Sequence, residues 1–417
     1  MNYPIDTIRS HFPALSQADA QGQVPLLLDG PGGSQVTTQV LLAITDYLGR
    51  YNSNLGGYAD AGLKTQAVNQ AARNAAADWL GCDDDEIVFG LNSTSLMFNI
   101  SRAVAQTWQA GDNIIVSSLD HFSHVSSWQR AAEDRGVEVR TLLLTADGTD
   151  LDGDKLAELI DDKTRLLAFS LASNVLGTIP DADKLIQTAK QKGVWVSVDG
   201  VHAAVHRLPD VKALDCDFFF ASAYKLGGPH LGMMYAKKAH LTDLKPYKVE
   251  PAADIAPNRW EQGTQSFAAQ AGFVAMIDYW ANLGGKVSDG RREALAESYR
   301  QVEAYEQSIS ARVLAHIAQR PYIRLYGKNS ETERTPTFAF NLVKDGQLND
   351  AAAVSRWFGE KNIALGAGNF YALNVVRHLD LVEHGFLRIG CLHYTHTDEI
   401  DRFFALLDNY AREIGAL

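Results

Sequence analysis

Lys225 and Asp199 are the residues whose types and placement carry the most chemistry. Lys225 stands in Phe218-Phe219-Phe220-Ala221-Ser222-Ala223-Tyr224-Lys225-Leu226-Gly227-Gly228-Pro229, and Asp199 in Val194-Trp195-Val196-Ser197-Val198-Asp199-Gly200-Val201-His202. Each stretch reads as a buried strand of aromatic and β-branched residues that ends in polar groups. An amine and a carboxylate on such strand ends suit a pyridoxal 5'-phosphate (PLP) site. The lysine forms a Schiff base with the cofactor, and the aspartate keeps the pyridine nitrogen protonated. A lone lysine at a strand end would simply reach for solvent; four other segments supply the remaining groups of such a site.

Phe89-Gly90-Leu91-Asn92-Ser93-Thr94-Ser95-Leu96 follows a strand and opens a helix. The hydroxyls of Ser93 and Thr94, with the free N–H groups of a helix start, make a phosphate cradle; plain capping by Ser93 or Ser95 would look the same. Ser222 adds a hydroxyl near the lysine. His121, after Asp120, can stack on a cofactor ring and move protons. Asn174, in Ala172-Ser173-Asn174-Val175-Leu176-Gly177, can hydrogen-bond a ring hydroxyl, and His202 can serve the same oxygen. Arg388, in Phe386-Leu387-Arg388-Ile389-Gly390, needs a carboxylate partner, from a substrate or from the protein. His202 and His206 have the spacing of a metal pair, but no third ligand is evident and Pro209 argues for a loop, so no metal is expected.

The elements that position these groups alternate between short β-branched runs and helical stretches from about residue 85 to 240. Glu86–Phe89, Asn113–Ser117 and Arg165–Ser170 precede the two strands already quoted, with a helix over Ala182–Lys190. This is an α/β pattern with a mostly parallel sheet and helices on both faces. A long helix from Arg291 to Ala315 leads to a smaller C-terminal α/β unit that starts at Pro336-Thr337-Phe338 and ends in a helix over Asp398–Ile414. The expected domains are an arm over 1–22 packed on the C-terminal unit, a large domain over 23–285 and a small one over 286–417.

The 417 residues are 46% hydrophobic and 21% charged, which fits a globular chain of two or three domains. Asp and Glu number 50 against 38 Lys and Arg, and no basic run offers a track for nucleic acid. No apolar stretch is long enough for a bilayer span, and the start, Met1-Asn2-Tyr3-Pro4-Ile5-Asp6, does not read as a signal peptide. Three cysteines without metal spacing fit a reducing cytoplasm.

With these segments assembled, the chain resembles the class V aminotransferases of PLP fold type I, on the cysteine desulfurase branch, from about Leu27 to the C-terminus. The stretches that carry the resemblance are Val198-Asp199-Gly200-Val201-His202, Ser222-Ala223-Tyr224-Lys225 with Gly228-Pro229, Ser173-Asn174-Val175-Leu176-Gly177, and Glu261-Gln262-Gly263-Thr264. The resemblance implies the Schiff base on Lys225, Asp199 at the pyridine nitrogen, His121 stacked on the ring, and Asn174 and His202 at the ring hydroxyl. It further implies that Ser93, Thr94 and Ser222 hold the phosphate and that Arg388 binds the carboxylate of a small amino-acid substrate. Thr264 would reach the phosphate of the other subunit, in a homodimer with shared active sites.

The sequence also departs from that pattern. Desulfurases carry a nucleophilic cysteine on a C-terminal loop, where it takes up sulfur as a persulfide. The matching stretch here, Ile363-Ala364-Leu365-Gly366-Ala367-Gly368-Asn369-Phe370-Tyr371, has none. Asn369 and Tyr371 are expected to shape the substrate pocket in its place. Tyr224 and His202 stand where desulfurases usually carry histidine and glutamine. Cys82 reads as a distant loop residue, Cys216 as preceding a strand and Cys391 as core. The expected activity is elimination at the C–S bond of a sulfur-containing amino acid. The alternatives are transamination, epimerisation of the isopenicillin-N-epimerase kind, and PLP binding without catalysis. A sulfur-accepting protein partner is not indicated by the sequence.

Overall fold

The computed structural model describes residues 3–284 and 290–417. The expected boundary between residues 285 and 286 lies outside the described residues, as do Met1 and Asn2 of the arm.

The large sheet has seven strands: β1 (Ile87–Gly90), β2 (Asn113–Ser117), β3 (Glu138–Leu142), β4 (Thr164–Ser170), β5 (Trp195–Asp199), β6 (Phe218–Ser222) and β7 (Gly232–Ala236). Their spatial order is β1-β7-β6-β5-β4-β2-β3, and only β7 runs against the rest. Side chains alternate between the faces with a period of two. Val196, Val198, Phe169 and Phe219 face one side, and Ala168, Phe218 and Phe220 the other. Both faces are apolar because helices cover both. Helices α1 (Thr38–Arg50), α2 (Asp60–Leu80) and α6 (Phe267–Leu283) contribute to the first layer, and α3 (Ser93–Ala105) and α4 (Phe122–Glu133) form the second. Helix α5 (Ala182–Lys190) packs its Leu185 and Ile186 into the first.

The long helix α7 (Arg291–Ala318) runs three residues past the expected end. The C-terminal sheet has five strands and is antiparallel throughout: β8 (Ile323–Tyr326) and the two-residue strand Gln347–Leu348 both pair with β9 (Thr337–Lys344), β9 pairs with β11 (Phe386–Gly390), and β11 pairs with β10 (Gly366–Gly368), with helix α8 (Thr397–Glu413) packed on the sheet. The expected start of this unit at Pro336 is corrected by β8, a short, half-exposed strand whose pattern is too weak to read in isolation. The N-terminal segment reaches the chain's other end. Arg9 pairs with Glu399 at 2.8 Å, and Tyr3 donates its hydroxyl proton to the His393 carbonyl at 3.0 Å. Phe12 meets Tyr279 of α6 edge-on. Among the described residues no helix is long and apolar enough to cross a membrane.

Candidate active site

The parallel strands end at one edge of the sheet, where open α/β sheets bind ligands. A cavity of about 680 Å³ lies there, closed on its far side by the C-terminal unit. Lys225, Asp199, His121, Asn174, His202, Ser93, Thr94, Ser222, Asn369, Tyr371 and Arg388 all line it, whereas Thr264 does not. Thr264 is exposed, on the loop before α6, and that loop is anchored by the buried pair Arg73–Glu261 at 2.6 Å.

β6 delivers Lys225 through the single turn Ala223–Lys225. The amine lies 4.7 Å above the Tyr224 ring and donates to the Pro31 carbonyl. Burial, reinforced by the Arg388 charge, pulls its pKa down to about 8, so roughly a tenth of the amine is neutral at pH 7. β5 delivers Asp199, which is 6% exposed. Gly200 is required behind it, because a Cβ there would sit 2.0 Å from the Phe219 ring. Asp199 accepts the Val201 N–H at 2.9 Å, and burial raises its pKa to about 6 against the opposing influence of His124. It therefore stays largely ionised at neutral pH, as a partner to a ring N–H⁺ must.

His121 caps α4, and its Nδ1 accepts the Ser123 N–H at 3.1 Å. That places the proton of the neutral ring on Nε2. Burial and the Lys225 charge hold its pKa down, at about 4. A neutral, flat imidazole on the cavity wall is suited to stacking. His202 is buried and held by Thr335 Oγ1 at 3.0 Å and Thr337 Oγ1 at 3.3 Å, and burial keeps it neutral. His206 lies on a short helix (Ala203–His206) rather than the expected loop, and its Nδ1 bonds Glu306 Oε2 at 2.8 Å. The two histidines that share a metal-like spacing are thus each engaged by protein groups.

The phosphate end differs in detail from expectation. Asn92, not Ser93 or Ser95, caps α3 and accepts the Ser95 N–H at 2.8 Å. The Ser93 hydroxyl donates to the Ala221 carbonyl at 2.6 Å, so it ties the helix start to β6 instead of offering a free proton. The helix start can approach β6 because Gly232, the register partner of Ser222, leaves room that a Cβ would fill at 2.3 Å from the Asn92 backbone. This leaves the first N–H groups of α3, with Thr94 and Ser222, to meet an anion.

Arg388 is 3% exposed and carries a partner that sequence reasoning missed: Asp29 Oδ1 lies 2.6 Å from Nη2. Nη1 donates to the Asn174 carbonyl at 2.9 Å, the guanidinium rests 3.8 Å over the Phe370 ring, and Nε has no hydrogen-bond partner among the described residues. The only sequence signal for Asp29 was a lone carboxylate between the apolar run Leu26–Leu28 and a Gly-Pro-Gly-Gly turn. Asn174 Nδ2 donates to the Phe370 carbonyl at 2.9 Å, which leaves its buried Oδ1 unpaired. Phe370 and Tyr371 both have left-handed backbones, at φ 51° and 59°, which costs roughly 1–3 kcal/mol each. The Asn174 bond and a second one, from the Phe122 N–H to the Tyr371 carbonyl at 2.8 Å, hold that strained turn over the cavity. The Tyr371 ring stacks 5.2 Å from His121, and Asn369 spends its Oδ1 on the Tyr371 N–H at 3.0 Å.

The residues fit PLP on these observations. A buried amine, an ionisable carboxylate, a neutral flat ring, a helix-start cradle and two unpaired buried atoms (Asn174 Oδ1 and Arg388 Nε) converge on one space. None of Cys82, Cys216 and Cys391 lines it. Burial raises all three thiols, Cys216 to about 12.

The family model described as Aminotransferase class-V matches residues 26–403. A cysteine desulfurase of Yersinia pestis (strain Pestoides F) is 32% identical over 432 residues, covering all of both chains. Among solved structures, the cysteine desulfurase CsdA of Escherichia coli superposes with a TM-score of 0.85 at 26% identity, covering 99% of this chain and all of the other. A cystine C-S lyase, C-DES, in complex with cysteine persulfide, shares the fold at a TM-score of 0.77 and 19% identity, covering 95% of this chain and 98% of that one.

Proposed function

The chain belongs to the class V aminotransferase family and is a PLP-dependent enzyme of cysteine desulfurase-like type, and from that premise we propose that it cleaves the C–S bond of a small sulfur-containing amino acid by elimination. The observation that carries this reading is the turn at Asn369–Tyr371. Its Asn369 amide and Tyr371 phenol ring line the cavity, and no cysteine does, which supports a reaction without a relay thiol. That the same fold serves a cystine C-S lyase agrees with it.

PLP, when bound, supplies an electron sink for an amino acid joined to its aldehyde. Asp199 would hold a proton on its ring nitrogen, His121 would cover its ring, and the start of α3 with Thr94 and Ser222 would hold its phosphate. Arg388 binds the substrate carboxylate through the free side of its guanidinium. Lys225 takes the α-proton on its neutral amine. The C–S bonding pair leaves with sulfur, and water completes the balance: L-cysteine and water give pyruvate, ammonia and hydrogen sulfide. The PLP-loaded protein given L-cysteine alone should release sulfide. Turnover only when a 2-oxo acid is added would assign transamination instead.

To be joined to a cofactor aldehyde, Lys225 would have to offer its unprotonated amine. The rate of cofactor uptake by ligand-free protein should therefore rise with pH and level off near 8. A rate that climbs on towards the ordinary lysine value, about 10.4, would contradict a depressed Lys225. The reading includes a cytoplasmic homodimer in which Thr264 meets the partner's phosphate. Its support is the exposed position of Thr264 and the exposed Leu41, Leu42 and Leu48 on α1.

A further inference from the structure

Behind Asp199 lies a buried polar hub that the chemistry above does not use. Asp120 is 1% exposed, and its Oδ1 accepts the Ser117 hydroxyl proton and, at 2.8 Å, the Ser170 N–H. Its Oδ2 lies 2.6 Å from Nδ1 of His124, which is completely buried on α4. Nε2 of His124 lies 2.8 Å from Ser197 Oγ. Ser117, Ser170 and Ser197 sit at or near the ends of β2, β4 and β5, the strands that lead to His121, Asn174 and Asp199. Ser197 is two residues before Asp199, so both side chains leave the same face of the sheet. The surrounding layer is apolar, with Phe220 edge-on to the imidazole at 5.9 Å. Packing alone would favour hydrocarbon there, because buried polar groups are costly unless every one is paired.

We infer that His124 is a positioning residue for Asp199: bonded through Nδ1 to Asp120 and through Nε2 to Ser197, it fixes the end of β5 and screens the Asp120 carboxylate, so that Asp199 stays ionised where the cofactor's ring nitrogen would lie. The inference rests on the PLP reading of the cavity. The charged and titratable groups acting on Asp199 are Lys225 from the turn after β6, His124 from α4 and Asp120 from the loop before it. His124 and Lys225 favour the carboxylate, and Asp120 opposes it. His121 also lies within range of His124.

The test is a pH titration of the visible absorbance of PLP bound to His124→Phe and Ser197→Ala proteins, with kcat and KM for the amino acid. His124→Phe leaves Asp120 uncompensated. The titration midpoint should move by about one pH unit or more, on the scale of ordinary charge-induced shifts, and kcat should fall at least about tenfold with KM within about threefold. Ser197→Ala removes one hydroxyl and should shift the midpoint the same way by a smaller amount; it decides the matter if His124→Phe does not fold. Removing both members of the pair in Asp120→Asn/His124→Phe should return the midpoint towards wild type. Loaded variants that titrate like wild type, with only thermal stability reduced, would overturn the inference and make the hub a packing device. A wild-type protein that forms no Schiff base would instead overturn the cofactor reading itself.

Discussion

Lys225→Ala should leave a folded protein that binds no cofactor covalently and turns over its amino acid roughly 1,000- to 10,000-fold more slowly, the scale of a lost positioned acid–base group. The fold should survive because little depends on this side chain. Its amine touches the Pro31 carbonyl and the Tyr224 face and closes no salt bridge among the described residues. Burying it costs charge, as the fall in its pKa to about 8 shows, so removing it relieves a penalty. Phe218, Phe219 and Phe220 anchor the strand, each fully buried. Absorbance spectroscopy after PLP addition and borohydride trapping report the covalent link, and a melting curve reports the fold. Lys225→Arg keeps a cation but cannot form a Schiff base, and should fail equally. An alanine variant with wild-type turnover would remove Lys225 from the chemistry.

Arg388→Ala should lower kcat/KM by about 30- to 4,000-fold. Truncating one member of a buried charge pair costs about 2–5 kcal/mol, and each 1.4 kcal/mol is tenfold. The unpaired Nε and the opposing Asp29 show how the site is arranged. Asp29 holds the guanidinium through Nη2, and in the proposed role Nε is left for a second carboxylate. Arg388→Lys restores charge without the planar fork and should recover only part of the loss. The ion pair alone would also explain a destabilised variant, so the substrate decides. Wild-type enzyme should prefer L-cysteine strongly over cysteamine, which lacks the carboxylate, and Arg388→Ala should lose that preference. If both substrates fall together while the preference persists, Arg388 serves the fold and not the substrate.

Much of this site was legible because strand ends are legible. A hydrophobic run that stops at Asp199, or at Ser222 and Lys225, marks where backbone leaves the core and side chains meet a ligand. Partners distant in sequence were not. Asp29 and Arg388 meet across nearly the whole chain, and nothing local to Leu26–Leu28 announces an arginine. The Ser93 hydroxyl was read as a phosphate donor because its partner, the Ala221 carbonyl, becomes visible only once α3 is docked on β6. His124 carries no signal in the sequence, since its burial depends on how α4 packs over β5. The edge strand β3, Glu138–Leu142, is largely half-exposed and carries charge, so its periodicity was weak, as was that of β8. The parallel core strands, buried on both faces, gave the clearest signal.

The central claim is that sulfur leaves by elimination, without a protein thiol to receive it. The most direct test is to load the protein with PLP, supply L-cysteine or L-cystine without added thiol, and quantify pyruvate and alanine together. Pyruvate as the dominant carbon product, unchanged in Cys82→Ser, Cys216→Ser and Cys391→Ser variants, is the expected result. Alanine as the dominant product would mean that sulfur is removed as in a desulfurase, and would contradict elimination.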